Sequence, residues 1–263
     1  DGDMRIVYPS THKAYLGALA DVYETPDYKV APRGLPIREC LDYMFTILHP
    51  TSEPILTHDI DRNKIIHDYT LTEMALYDLG TNKVEDFEKA SSFWRKIANE
   101  DGTINSAYGY LLWKKHSCRS LDTQWEWAKN SLINDKDTRQ AFVRFSLPEH
   151  QYWGNKDQVC TMHGNFLIRN DELHLTIVMR SNDLVLGLVY DLPWFCSLLD
   201  KMVEELKPHY PQLVKGTYTH LAHSLHIYDR DEEKVRRMLG CPIGSSPRRQ
   251  RMKSLTHNNV PCP

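Results

Sequence analysis

At 263 residues, 41% of them hydrophobic, the chain is long enough to bury a full core, most simply as one domain over residues 1–263. Its 32 basic and 35 acidic residues leave a formal charge of −3, which argues against a general nucleic-acid or membrane-surface binder, because such a surface needs a strong positive excess. Apolar runs fall short of a membrane span and DGDMRIVYPS lacks a signal peptide's basic and apolar regions, so a cytoplasmic location is expected, with Asp1 to Asp3 as a remnant before Met4.

After a short strand at RIVY, THKAYLGALADVYE carries Tyr15, Leu19, Val22 and Tyr23 at helical spacing behind Ser10 or Thr11 as cap, which predicts an amphipathic helix. APRGLPIRE reads as a loop before the alternating strand CLDYMFTIL; Arg33 and Arg38 stand in it either as solvated charges or as contacts for an anion. TLTEMALYDLG shows a capping-box pattern from Thr70 to Glu73 and a terminating Gly80, so a helix is expected from about Thr70, with Glu73 explained as its cap. A further helix is expected over residues 84–99, turning Phe87, Ala90, Phe93, Trp94 and Ile97 to one side. INSAYGYLLW supplies Tyr108 and Gly109, and LDTQWEWAKNSLI predicts another helix, carrying Trp125 and Ala128.

From residue 142 the chain is strand-rich: FVRFSL, GNFLIR, ELHLTIVM, LVLGLVY and the segment from His220 to Tyr228. These runs lie too close together for βαβ crossovers, which predicts a mainly antiparallel or mixed sheet. Between them PWFCSLLDKMVEEL is an amphipathic helix, with Trp194, Leu198, Leu199, Met202 and Leu206 toward the sheet and Asp191 placed as its N-cap two residues before Pro193. The tail over residues 242–263 has no periodicity and reads as extended.

Six cysteines, without CxxC spacing, read as reduced thiols. Thirteen histidines invite a metal reading, but in a strand His220 and His226 would share one face and His223 the other, so no metal site is expected.

Two stretches carry the chemistry. VCTMHGNFLIRN offers Cys160 at the mouth of an apolar strand, and MRSNDLVLGLVYD brings Arg180, Ser181, Asp183, Gly187 and Asp191 into one short span. A lone cysteine is a weak signal. The ordered set from about Thr70 to Tyr228, however, resembles the thymidylate synthases and their cytidylate hydroxymethylase relatives: Glu73 to Gly80, Trp94, Tyr108, Cys160, Arg180 to Asp183 with Gly187-Leu188, and the H-x-Y of His226 and Tyr228.

That resemblance implies an α/β (α+β) fold, a large mixed β-sheet flanked by helices, dimerising sheet to sheet as a homodimer. It implies pyrimidine nucleoside monophosphate and 5,10-methylenetetrahydrofolate as substrates, without a metal. Cys160 would add to carbon 6 of the pyrimidine and make carbon 5 nucleophilic toward the folate's one-carbon unit. Arg180 would bind phosphate and favour thiolate, with Ser181 beside it; Glu73, Tyr108 and Asp183 would organise protons and water around the ring. His226 and Tyr228 would hold the sugar 3′-hydroxyl, and Trp94, Asp183 and Gly187 would face the folate.

Departures from the synthase pattern point to the hydroxymethylase branch. Asp191 stands where thymidylate synthases carry asparagine, and a carboxyl suits the acceptor N3 and amino donor of cytosine in CMP or dCMP, whereas it opposes uracil. Thr161 replaces a histidine after the nucleophile, and the terminal PCP differs from the synthases' C-terminus. The family's dimer lends an arginine pair to the opposite phosphate site, but DTRQ holds Arg139 followed by Gln140. Arg139 of the partner subunit would then reach the phosphate, with Arg33, Arg38 or Lys136 supplying the missing cation. The rival readings are methylation of dUMP and a non-catalytic nucleotide- or RNA-binding member of the fold.

Overall fold

The computed structural model of the protein describes residues 5–116, 119–240 and 248. The expectations for Asp1 to Asp3, for Cys118, Cys241 and Cys262, and for the tail apart from residue 248 lie outside the described residues.

The strands are β1 (Ile6–Ser10), β2 (Tyr28–Val30), β3 (Ile37–His49), β4 (Phe142–Arg144), β5 (Thr161–Arg169), β6 (Glu172–Met179), β7 (Asn182–Asp183) and β8 (Val214–Tyr228). Among the described residues they form one mixed sheet in the order β1-β3-β8-β6-β5-β4, with β2 added to β3 and β7 to β8. The helices are α1 (Thr11–Glu24), α2 (Ile60–Leu79), α3 (Val84–Phe87), α4 (Phe93–Ile97), α5 (Tyr108–Trp113), α6 (Gln124–Asn134), α7 (Val189–Leu206) and α8 (Glu232–Leu239). The expected α/β architecture with a large mixed sheet is therefore present.

Helix α7 packs on β6 and β8 of the sheet. Trp194, Leu198, Leu199, Met202 and Leu206 are all buried along it, a stripe whose removal from water contributes on the order of 10 kcal/mol before entropy is counted. Tyr15 of α1 ties the layers by donating to the Leu184 carbonyl at 2.8 Å.

Several local expectations are corrected. Helix α2 begins at Ile60, where the Asp59 carboxylate accepts from the Arg62 N–H at 3.1 Å, so Thr70 and Glu73 are interior residues and form no capping box. The stretch 84–99 is two short helices, because Ala90 and Ser91 close back on the Phe87 carbonyl and Ser91 Oγ accepts from Phe93 N; Phe93 is left 55% exposed. Asp191 is not the cap of α7, and LVLGLVY is not a strand: a π-helical turn, Leu184–Leu188, leads directly into that helix, and Asp183 caps the turn by accepting from Val185 N at 2.9 Å.

The histidine strand also departs from simple alternation. Core positions run Tyr218, His220, Ala222 and then Leu225, Ile227, so β8 changes face near His223. On β3 the change comes at Asp42, whose φ of 47° is left-handed and whose carboxylate meets His223 Nδ1 at 2.6 Å. His220 and His226 consequently lie on different faces. Strand β3 also starts earlier than expected, taking Arg38 out of the loop: its guanidinium donates to Tyr23 O at 2.9 Å and Glu232 at 3.0 Å.

Among the described residues no helix is long and apolar enough to cross a membrane, and no group of three or more His, Cys, Asp or Glu could hold a metal ion.

Helix α5 crosses α2 at Gly109, where a β-carbon would sit 1.6 Å from the Tyr77 carbonyl oxygen. Gly109→Ala is expected to destabilise the fold by about 3 kcal/mol, since backbone rather than a flexible side chain must move. Denaturant midpoints of the variant and the parent measure this.

Candidate active site

The register of one strand pair builds the centre of the site. Thr161 of β5 pairs with Met179 of β6, so Cys160 and Arg180, one step beyond each, are adjacent, and Arg180 N donates to Cys160 O at 2.9 Å. The guanidinium is anchored by Nε to Val159 O at 3.1 Å and Nη2 to Gln158 O at 2.5 Å, and Nη2 lies 3.7 Å from Cys160 Sγ. Burial pushes the Cys160 thiol above its ordinary value; the positive charges of Arg180 and Arg33 oppose that push, while Asp191 and Asp157 add to it. The resting group is a thiol, and Arg180 favours the thiolate without producing it alone.

An aromatic wall leads away from Cys160 into the protein. Thr161 Oγ1 donates to the Tyr108 hydroxyl at 2.8 Å, and the Tyr108 ring stacks on Tyr77 at 5.1 Å. Tyr77 and Tyr69 hydrogen-bond Glu73 from one turn either side on α2, and Tyr69 accepts from Trp94 Nε1 at 3.3 Å. Glu73 is only 7% exposed, and burial raises its carboxyl to about 7 although both tyrosines stabilise the ionised form.

Asp191 faces the same space from α7, retaining an exposed edge. Burial, followed by the nearby Glu73 charge, holds it well above the usual carboxylate range. Its Oδ2 accepts from Asn182 Nδ2 at 3.2 Å, and Asn182 Oδ1 meets His220 Nε2 at 3.0 Å. Gly187 lies against this pair: a β-carbon there would be 3.2 Å from Asn182 Nδ2 and 3.6 Å from Asp191 Oδ2. Asp183 is pushed up to about 6 by burial and stands opposite His226 in the parallel β7–β8 register. His226 is buried with Nδ1 3.2 Å from Ser224 Oγ, and its ring meets Tyr228 edge-on at 5.4 Å.

The amino-acid sequence matches the thymidylate synthase family model over residues 13–255. The chain belongs to the thymidylate synthase family. It is 29% identical over 170 residues to the deoxycytidylate 5-hydroxymethyltransferases of Enterobacteria phages T6 and T4, covering 62% of this chain and 68% of each of theirs. It is 26% identical over 208 residues to a putative thymidylate synthase of Methanococcoides burtonii, covering 79% and 81%. The protein is thus a one-carbon transferase of a family that uses methylenetetrahydrofolate and nucleoside monophosphates.

Within this family fold, the sequence-derived residues Cys160, Arg180, Tyr108, Glu73 and Trp94 are joined through direct contacts or one intermediate, and the charge of Asp191 reaches Cys160 and Tyr108. Ser181 is half-buried between Arg180 and Asn182. Two cations stand apart in the single chain. Arg139 is exposed beyond α6, bordering a pocket with Asp135, Asp137, Thr138 and Gln140, and Arg33 is exposed in a left-handed turn with φ of 53°, although its charge reaches Cys160. The other candidates for the missing cation are engaged: Arg38 as above, and Lys136 in an ion pair with Asp171.

Sequence reasoning missed Tyr69, Tyr77, Asn182, His220 and Asp157. The first two carried a signal, since Tyr69, Glu73 and Tyr77 recur every four residues along a helix. Asp157 accepts from Ser106 N at 2.8 Å and from its hydroxyl, fastening the Tyr108 loop to the Cys160 segment, a pairing with no local pattern.

Glu73 makes stability depend on pH. Its folded value of about 7 lies above the ordinary 4.5, so its contribution is fully present below 4.5 and is lost as pH rises through about 7. Glu73→Gln should therefore gain roughly 3 kcal/mol on the parent between pH 4 and pH 8.5. Urea unfolding at both pH values measures that gain.

Proposed function

We propose that the protein is a cytidylate 5-hydroxymethylase, converting CMP or dCMP, water and methylenetetrahydrofolate to the 5-hydroxymethyl nucleotide and tetrahydrofolate. The observation that carries this reading is Asp191, a carboxyl held well above its usual range where it faces the site. A neutral carboxylic acid presents one donor and one acceptor, the complement of cytosine's N3 and N4 amino group. Uracil offers the reverse order, N3–H and O4. The phage deoxycytidylate 5-hydroxymethyltransferases among its relatives support the same choice of base.

In this mechanism the Cys160 sulfur bonds to pyrimidine carbon 6 while Arg180, 3.7 Å away, stabilises the thiolate as it forms and binds phosphate with Ser181. The base takes Asp191 along its N3–N4 edge. Glu73, near 7 between its two tyrosines, can hold or release a proton at neutral pH, and Tyr108 links it to the Thr161 side of the ring. His226 and Tyr228 take the sugar 3′-hydroxyl. The residues assigned to the folate suit a flat, amino-bearing ring: the Trp94 ring, the Asp183 carboxyl, and bare backbone at Gly187. Bound there, methylenetetrahydrofolate supplies the one-carbon unit.

The sheet face turned away from α7 supports a homodimer, because Leu41, Met44 and Leu48 of β3 are 47%, 42% and 45% exposed along it. Arg139 of the partner subunit would complete the phosphate site, with Arg33 as second cation. A reducing cytoplasm suits the free Cys40, Cys160 and Cys196.

The putative synthase of Methanococcoides burtonii keeps methylation of dUMP as the competing reading. Methylation oxidises the folate to dihydrofolate, whereas hydroxymethylation leaves tetrahydrofolate; dihydrofolate appearing in step with product would overturn the proposal. Cys160→Ala should reduce turnover and tritium release from carbon 5 by about 10³-fold or more while nucleotide binding persists. Asp191→Asn should lower kcat/KM for cytidylates relative to dUMP by about 10²-fold or more, measured side by side with CMP, dCMP and dUMP.

A further inference from the structure

Behind Asp191 runs a buried chain of polar groups. Tyr218 hydroxyl lies 2.8 Å from His220 Nδ1, His220 Nε2 lies 3.0 Å from Asn182 Oδ1, and Asn182 Nδ2 lies 3.2 Å from Asp191 Oδ2. Tyr218 and His220 are 0% exposed and Asn182 is 2% exposed. Burial lowers His220 to about 3, so the imidazole is neutral and carries one proton.

Donor and acceptor roles then run in one direction. Asn182 Oδ1 can only accept, which places the imidazole proton on Nε2 and leaves Nδ1 to accept from the Tyr218 hydroxyl. The same contact orients the Asn182 amide, so that its NH₂ must face Asp191.

We propose that Asn182, held by His220, is the positioning residue that sets which oxygen of Asp191 carries the acid proton and thereby makes the pocket selective for cytosine. The oxygen that accepts from Asn182 is the better carbonyl-like partner, and the proton resides on Oδ1. Oδ1–H then donates to cytosine N3, and Oδ2 keeps a lone pair for the N4 amino group. An Asp191 free to place its proton on either oxygen, or to rotate, would present the base with a mixture of patterns and discriminate less. This rests on the cytidylate reading of Asp191. It extends that reading inward, to residues that do not touch the base.

The test is the ratio of kcat/KM for CMP or dCMP to that for dUMP, in the parent enzyme, Asn182→Leu, His220→Leu and His220→Gln. Asn182→Leu keeps the volume and removes the donor. The selectivity ratio is expected to fall at least about tenfold, the loss expressed in KM for the cytidylate. His220→Leu should reproduce the fall, and His220→Gln, whose amide N–H can still donate to Asn182, should recover most of it.

A residue that only supports packing would lower turnover of both bases together and leave the ratio unchanged. An unchanged ratio in Asn182→Leu overturns the proposal; if that variant does not fold, an unchanged ratio in His220→Leu does so. Failure of the underlying reading looks different: a parent enzyme that itself prefers dUMP overturns the base assignment, and the positioning role falls with it.

Discussion

The pairing of Thr161 with Met179 is the constraint on which the site depends. An antiparallel ladder that ends there brings the next residue of each strand together, and those residues are Cys160 and Arg180. From this point the chain enters the short β7, which joins β8 and sets Asp183 beside His226. Slipping that register by one residue would turn each of these side chains to the opposite face. The large sheet is therefore more than a support for helices. Its ladder determines the distance between sulfur and guanidinium.

Burial is the second organising force, and it acts on three carboxyls at once. Glu73, Asp183 and Asp191 all lie above their ordinary ionisation range because burial disfavours their charge, and the nearby Glu73 charge raises Asp191 further. The same desolvation keeps Cys160 as a thiol despite Arg180. Ordinary carboxylates would be charged at neutral pH and could only accept hydrogen bonds. Groups that can be neutral are able to donate, and the proposed choice of cytosine over uracil rests on that capacity.

Corrections to the local reading share one cause. Thr70-x-x-Glu73 has the pattern of a capping box, yet Asp59 starts the helix earlier and turns Glu73 inward. Asp191 precedes a proline as a cap would, yet Asp183 and the π-helical turn take the capping role and free Asp191 for the pocket. In each case a local motif offered a sufficient explanation for a carboxyl. The tertiary structure assigns the capping hydrogen bond to a different aspartate.

By itself the sequence determined the class of fold, the order of its main elements and the set of residue types that carry the resemblance, because apolar periodicity and motif order are properties of the chain alone. The amphipathic stripe of α7 and most of the strand-rich half after residue 142 were legible for that reason, whereas LVLGLVY, read as a strand, is the π-helical turn and the start of α7. The polar chain from Tyr218 through His220 and Asn182 to Asp191 was not, since its members come from β8, β7 and α7 and meet only when β7 adds to β8. Nor could the change of face at Asp42 and His223 be read, because a left-handed residue inside a strand leaves no periodic trace beforehand. Which groups ionise, and which are held neutral, was decided by tertiary structure alone: desolvation depends on what surrounds a carboxyl in space, and neighbours in sequence supply little of it.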